Sequence, residues 1–204
     1  MDVRLGLSPE ELVATMPEAA ALIVRSSTQV TDEVLAAGSD LVMVGRAGIG
    51  LDNVDVPAAT ERGVMVLNAP QSNTLLAAEH TMAMLLAMAR NIPQAHQALR
   101  EGRWERSKWN GVELADKTLG VIGLGRIGTL VAQRAMAFGM LLAAYDPFVS
   151  AERARQLNVE LLSLDELLAR SDFLTLHLAK TPETVGLLDA KASASARPGG
   201  RLVP

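Results

Sequence analysis

The chain contains no cysteine, which excludes disulfide cross-links and thiolate chemistry and is compatible with a reducing compartment. Aromatic residues make up only 3% of a chain that is 49% hydrophobic, so any core must be filled by Ala, Leu, Val and Met. No apolar stretch approaches the roughly 20 residues needed to cross a bilayer, and no charged-then-apolar segment opens the chain, so no membrane partner is expected and the cytoplasm is the default location. Tandem repeats, low-complexity linkers and blocks of like charge are also missing. A net charge of −4 argues against nucleic acid as the main partner. The 204 residues suffice for one large or two small domains.

What is present is organised around Gly123-x-Gly125-x-x-Gly128. The apolar run at 119–122 reads as a buried parallel strand feeding a glycine turn at the start of a helical pattern. In such a unit the first glycine permits the tight turn. The second lets the backbone approach a pyrophosphate, and the third lets the helix lie close to its strand. Ile127, Leu130, Val131, Ala135 and Phe138 predict an apolar stripe on that helix, Gly139 its stop, and 141–145 a second strand ending at Asp146. An acid about 20 residues beyond the glycines is placed to accept hydrogen bonds from an adenosine ribose. Its charge disfavours a 2′-phosphate, and the Pro147-Phe148 that follows offers no arginine, so NAD is expected over NADP.

Elsewhere strands are expected at 21–24, 41–44 and 64–67, with helices opening at Thr31 and Pro57 between them. This alternation predicts a parallel sheet. Residues 45–52 form a glycine-rich loop at the carboxyl end of a strand, where open α/β sheets bind ligands; from spacing alone a plain connection is the simpler reading. The segment 75–89 is apolar on nearly every face and predicts a helix buried all round between two domains, with Glu79 and His80 inside it needing partners. Arg103, Trp104, Arg106, Lys108 and Trp109 form a small basic, aromatic patch suited to a phosphorylated small molecule. Ser163-x-x-Glu166 is a capping box. A strand is expected at 173–178, placing His177 on the cofactor side as pocket lining, with the loop 181–186 beyond, and 201–203 starts one more strand.

With these stretches in view the sequence resembles the D-isomer-specific 2-hydroxyacid dehydrogenases. The resemblance is carried by VRSST at 24–28, GRAGIGLDNVD at 45–55, APQSN at 69–73, AAEHT at 77–81, ARNIPQ at 89–94, GRWER at 102–106, GVIGLGRIG at 120–128 and YDP at 145–147. It implies a doubly wound Rossmann domain at 103–204, helices linking two domains at 76–102, and a flavodoxin-like substrate domain at 1–75 without its first strand. The activity implied is NAD-dependent oxidation of 3-phosphoglycerate to 3-phosphohydroxypyruvate, the first step of serine synthesis. Gly123, Gly125, Arg126, Ile127, Gly128, Asp146 and Pro147 would then hold NAD, with His177 and Thr184 bordering it. Arg25, Arg46, Ile49, Gly50 and Asn73 resemble substrate-pocket positions. Arg106 resembles a residue that reaches the phosphate from a neighbouring subunit, which implies a homo-oligomer.

Departures from the family pattern set further expectations. The substrate-clamping arginine and the glutamate–histidine proton relay of the family are expected beyond Pro204, so no catalytic residue is assigned, no metal is expected, and the chain as given is expected to be inactive alone. Arg201, His80 and His96 are not those groups. Leu76 and Ala179 replace a small polar residue and a proline, and 191–196 is too small-residued to pack like the family's helix there. Two other readings stay open: a different D-2-hydroxyacid dehydrogenase, and a non-catalytic NAD-binding module.

Overall fold

The computed structural model describes residues 2–203. They fall into two compact units that meet in sequence between Asn73 and Thr74. The first has three parallel strands, β1 (Ala21–Val24), β2 (Met43–Arg46) and β3 (Met65–Asn68), hydrogen-bonded in that order. Helices α1 (Pro9–Thr15), α2 (Asp32–Ala37) and α3 (Val56–Glu61) cover one face, enclosing Val24, Val34, Leu35, Val44 and Ala59. The other face leaves Ile23 and Met65 exposed.

Helix α1, like helix 151–156 and the short strand 160–161 of the second unit, is not expected from the sequence, although its signal is there. Ser8 Oγ accepts from Glu11 N, Glu11 Oε2 accepts from Ser8 N at 2.8 Å, and Pro9 occupies the first turn, where its missing N–H costs nothing. Strand β2 starts two residues later than expected. Leu41 is buried in a turn in which its N–H donates to Gly38 O (3.1 Å), so ladder pairing begins only at Met43.

The second unit has five strands, β4 (Thr118–Ile122), β5 (Leu141–Tyr145), β6 (Glu160–Leu161), β7 (Phe173–Leu176) and β8 (Arg201–Val203). All pair in parallel, in the order β6-β5-β4-β7-β8. This is the doubly wound arrangement, in which the chain starts in the middle of the sheet and builds outward in both directions. Helices α4 (Thr74–Ala89) and α6 (Arg126–Met136) share one core layer with Leu119 and Val121. On the opposite face, Leu167 and Leu168 of α8 (Leu164–Arg170) pack with Ile122, Ala143 and Leu174. Helices α5 (Ile92–Arg100), α7 (Ala151–Gln156) and α9 (Ala190–Ser195) complete the unit. The capping box of Ser163 and Glu166 forms as expected, and α9 buries no side chain. No helix among the described residues is long and apolar enough to cross a membrane.

Three local expectations need correction. Helix α4 is not buried all round: Ala78, Met82, Leu85 and Ala89 form an inward stripe, while Leu76, Glu79, His80 and Ala83 lie on the opposite side and are exposed. The 3.6-residue period is present but hidden by apolar residues on both faces, and neither Glu79 nor His80 is desolvated. Phe138 is exposed beyond the end of α6, and Met140 takes the buried position instead. Strand β7 ends at Leu176, because its partner β4 ends at Ile122; His177 N makes the last bond, to Ile122 O at 2.8 Å.

Candidate functional site

Strands β4, β5 and β7 end in register, Ile122 opposite both Tyr145 and Leu176. Gly123, Asp146 and His177 therefore leave the sheet side by side at its carboxyl edge. This is where strand order reverses and where open α/β sheets hold ligands.

The three glycines of the bend differ in what requires them. Gly123 has φ +92°, and a Cβ there would stand 2.6 Å from His177 O. At Gly128 a Cβ would stand 2.1 Å from Gly123 O, so the close seating of α6 on its own turn needs a glycine. Gly125 is neither left-handed (φ −72°, ψ −155°) nor crowded: a Cβ would meet nothing within 4 Å. It is the N-cap of the 11-residue α6 and no side chain caps that helix. Backbone donors and the positive end of the helix dipole thus face an open approach, which suits an anion.

The carboxylate of Asp146 faces this bend. Oδ2 accepts from Leu124 N at 2.8 Å and Oδ1 from Phe148 N at 2.9 Å. His177 is half-buried, with Nε2 3.1 Å from the hydroxyl of the fully buried Thr175; burial holds its pKa below the ordinary histidine value. Thr184 staples its own loop, its hydroxyl donating to Ala179 O (2.7 Å) and accepting from Thr181 N (2.8 Å). Arg126 opens α6 and Ile127 follows it, while Pro147 is exposed beside Asp146.

In the first unit the register Val24–Arg46–Asn68 sets the carboxyl ends of three strands in one row. Arg25 follows β1, Arg46 ends β2, and Ile49 and Gly50 sit in the loop beyond. Their N–H groups have no acceptor among the described residues. Two asparagines missed in the sequence shape this edge. Buried Asn53 donates through Nδ2 to Arg25 O (2.9 Å) and Thr28 O (2.7 Å), and its Oδ1 lies 3.4 Å from Arg46 Nε. Asn68 Nδ2 donates to Ile49 O at 2.7 Å. The signal was the GRAGIGLDNVD stretch itself, although Asn53 falls in the turn closed by Val54 N donating to Leu51 O (2.9 Å) and so reads there as an ordinary turn residue. Asn73 is exposed at the end of this unit.

The basic patch is less basic than its composition. Arg103 pairs with Glu101 and Glu105, and Lys108 lies 3.4 Å from Glu105 and over the Trp109 ring. Arg106 is exposed with no ion pair among the described residues. With Arg90, Ile92, His96, Leu99 and Trp104 it lines a groove of about 630 Å³. Arg201 is structural: its guanidinium lies over Phe173 and donates to Met88 O.

Residues 82–204 match the family described as "D-isomer specific 2-hydroxyacid dehydrogenase, NAD binding domain". The chain belongs to this family. Among its relatives, D-3-phosphoglycerate dehydrogenase of Mycobacterium tuberculosis is 60% identical over 97% of this chain and 38% of the relative. The enzyme of the same name from Synechocystis is 50% identical over all of this chain and 37% of the relative. The chain thus spans less than two-fifths of the length of these curated relatives. The NAD-dependent formate dehydrogenase of Staphylococcus aureus, solved in complex with NAD, superposes with a TM-score of 0.87 at 34% identity over 95% of this chain and 59% of that one. The bend fits the family's cofactor. Gly125 leaves room for a pyrophosphate at the amides of Arg126 and Ile127, and the Asp146 carboxylate stands one strand away for the adenosine ribose.

Proposed function

We propose that the second unit binds NAD and the first unit part of a hydroxy-acid substrate, within a protein that oxidises 3-phosphoglycerate to 3-phosphohydroxypyruvate at the start of serine synthesis. The observation that carries this reading is Gly125. Its side-chain space is empty and its backbone angles suit any residue, so folding gives no reason for a glycine there, whereas a phosphate approaching the amides of α6 does. NAD, when bound, accepts the hydride from the substrate's C2.

In this reading the amides at the start of α6 hold the pyrophosphate and Asp146 the adenosine ribose. His177, Thr184 and Pro147 border the cofactor, and the half-buried, neutral imidazole lines the pocket without shuttling a proton. Arg25, Arg46, the amides of Ile49 and Gly50, and Asn73 meet the substrate's anionic groups, and Arg106 reaches the phosphate from a second subunit of a homo-oligomer. Arginine forks match carboxylate and phosphate oxygens well even in a mildly acidic protein. Alcohol oxidation also needs a base and a cation at the developing carbonyl; no residue of this chain is assigned to either, so the 204 residues alone should produce no NADH.

The choice of 3-phosphoglycerate over lactate or formate rests on the names of relatives 50 to 60% identical, against 34% for the formate dehydrogenase. Calorimetric titration tests the cofactor half. Gly125→Val should weaken NAD by about tenfold or more, the order of one lost charge-assisted hydrogen bond, with an unchanged thermal transition. Equal NAD affinity in the variant would overturn the site. For the substrate half, activity of the full-length protein on 3-phosphoglycerate is compared with lactate, glyoxylate and formate. Preference for an unphosphorylated acid would reassign it.

A further inference from the structure

The Asp146 carboxylate is engaged before any ligand arrives. Its Oδ2 accepts from Leu124 N inside the glycine bend (2.8 Å), and Oδ1 accepts from Phe148 N two residues on in its own chain (2.9 Å). Leu124 lies between Gly123 and Gly125, the two residues freest to rotate, so the peptide joining Gly123 to Leu124 has little intrinsic reason to hold one orientation. Gly123 N is bonded to Tyr145 O (2.9 Å) and Leu124 O accepts from Thr129 Oγ1 (3.2 Å), but the Leu124 amide is held by Asp146.

We propose that Asp146 sets the shape of the pyrophosphate bend as well as reading the sugar, so that the two ends of the nucleotide site are joined through one carboxylate. The proposal rests on the NAD reading for its sugar half only. A carboxylate offers about four acceptor positions; two are used by backbone amides, and the others remain for ribose hydroxyls. The bond to Phe148 N fixes the carboxylate, and the charge-assisted bond to Leu124 N fixes the bend. Removing the acid to admit a 2′-phosphate would therefore also loosen the place where the phosphates sit.

The test uses the 204-residue chain with Asp146→Ala and Asp146→Asn, amide hydrogen exchange at Leu124 and Phe148, and titrations with NAD and with NADP. Asp146→Ala should speed Leu124 exchange about tenfold or more, as expected for loss of a hydrogen bond to a charged group, and weaken NAD and NADP together. Asp146→Asn, which keeps one neutral acceptor, should leave Leu124 exchange between those of the unsubstituted chain and Asp146→Ala and restore part of the NAD affinity. Unchanged Leu124 exchange in Asp146→Ala, with NADP gaining as NAD loses, would overturn the proposal and leave Asp146 a sugar selector only. Faster Leu124 exchange in Asp146→Ala, with the unsubstituted chain itself binding neither nucleotide, would uphold the bend-setting role and overturn the NAD reading. Should the Asp146→Ala chain show no thermal transition, the Asn variant decides alone: Leu124 exchange faster than in the unsubstituted chain upholds the proposal, and unchanged exchange overturns it.

Discussion

Two glycine-rich loops leave the carboxyl ends of parallel strands in this molecule, and they are built on opposite plans. In the loop at 45–52 the space a glycine leaves is taken by the chain's own polar side chains. A Cβ at Gly48 would stand 1.6 Å from the Arg46 guanidinium, and one at Gly50 would stand 2.7 Å from Asp52 Oδ1. Its shape comes from side chains reaching back, Asn53 to Arg25 O and Thr28 O and Asn68 to Ile49 O. The bend at 123–128 is shaped by backbone packed on backbone, with a single side chain, Asp146, bonded to its Leu124 amide, and it opens directly into a helix whose first turn no side chain caps. The first plan offers arginines on adjustable stems, and the second offers fixed amides. Fixed amides suit a pyrophosphate whose geometry never varies.

The largest effect should come from filling the rigid bend. Gly128→Val would force a side chain against Gly123 O and Val121, and overpacking of this kind costs about 3 kcal/mol. The thermal transition of the second unit should then drop by on the order of 10 °C. Gly48→Ala in the other loop meets only the far end of a flexible arginine, so its melting temperature should hardly move. Equal losses from the two substitutions, read by calorimetry, would erase the distinction between the loops.

Next in size is Asn53→Ala. It strands the carbonyl of Thr28, leaves that of Arg25 with only the 3.3 Å bond from Thr28 N, and frees Arg46, at a cost of about 1 to 2 kcal/mol for part-buried groups that lose a partner. The loss should appear in the first unit's unfolding, with NAD affinity in the second unit unchanged. A fall in NAD affinity matching the loss of stability would show that the two loops are not independent.

The same contrast explains what could be read from the sequence. The rigid bend was legible: its spacing, its strand and helix, and Asp146 at the end of β5 all follow from local patterns of apolar and glycine residues. The organising role of Asn53 was not, because it depends on bonds to residues 25 and 28 positions away that no local period encodes. Helix α4 misled for a related reason. Its leucines, alanines and methionines are apolar on both sides, and only the packing against α6 decides which side is buried. The patch around Arg106 was read by composition, whereas its charge is set by pairing of Arg103 and Lys108 with glutamates that composition counts separately.

The smallest effect separates the two loops by pH. All three histidines lie in the second unit, and only His177, beside the rigid bend, is sheltered; His80 and His96 are exposed. Burial lowers the native pKa of His177 below the ordinary value of 6.5. Between that lowered value and 6.5 the unfolded chain holds more protons than the native one, so this residue's contribution to stability rises with pH across the window. It is complete above 6.5 and is lost as the pH falls through the window. His177→Gln keeps a polar side chain near Thr175 without titrating, and it should flatten the dependence of the second unit's melting temperature on pH just below 6.5, leaving the first unit's unchanged. A slope that survives the substitution would assign the dependence to other groups, and the sheltered imidazole would then no longer distinguish the rigid edge from the adjustable one.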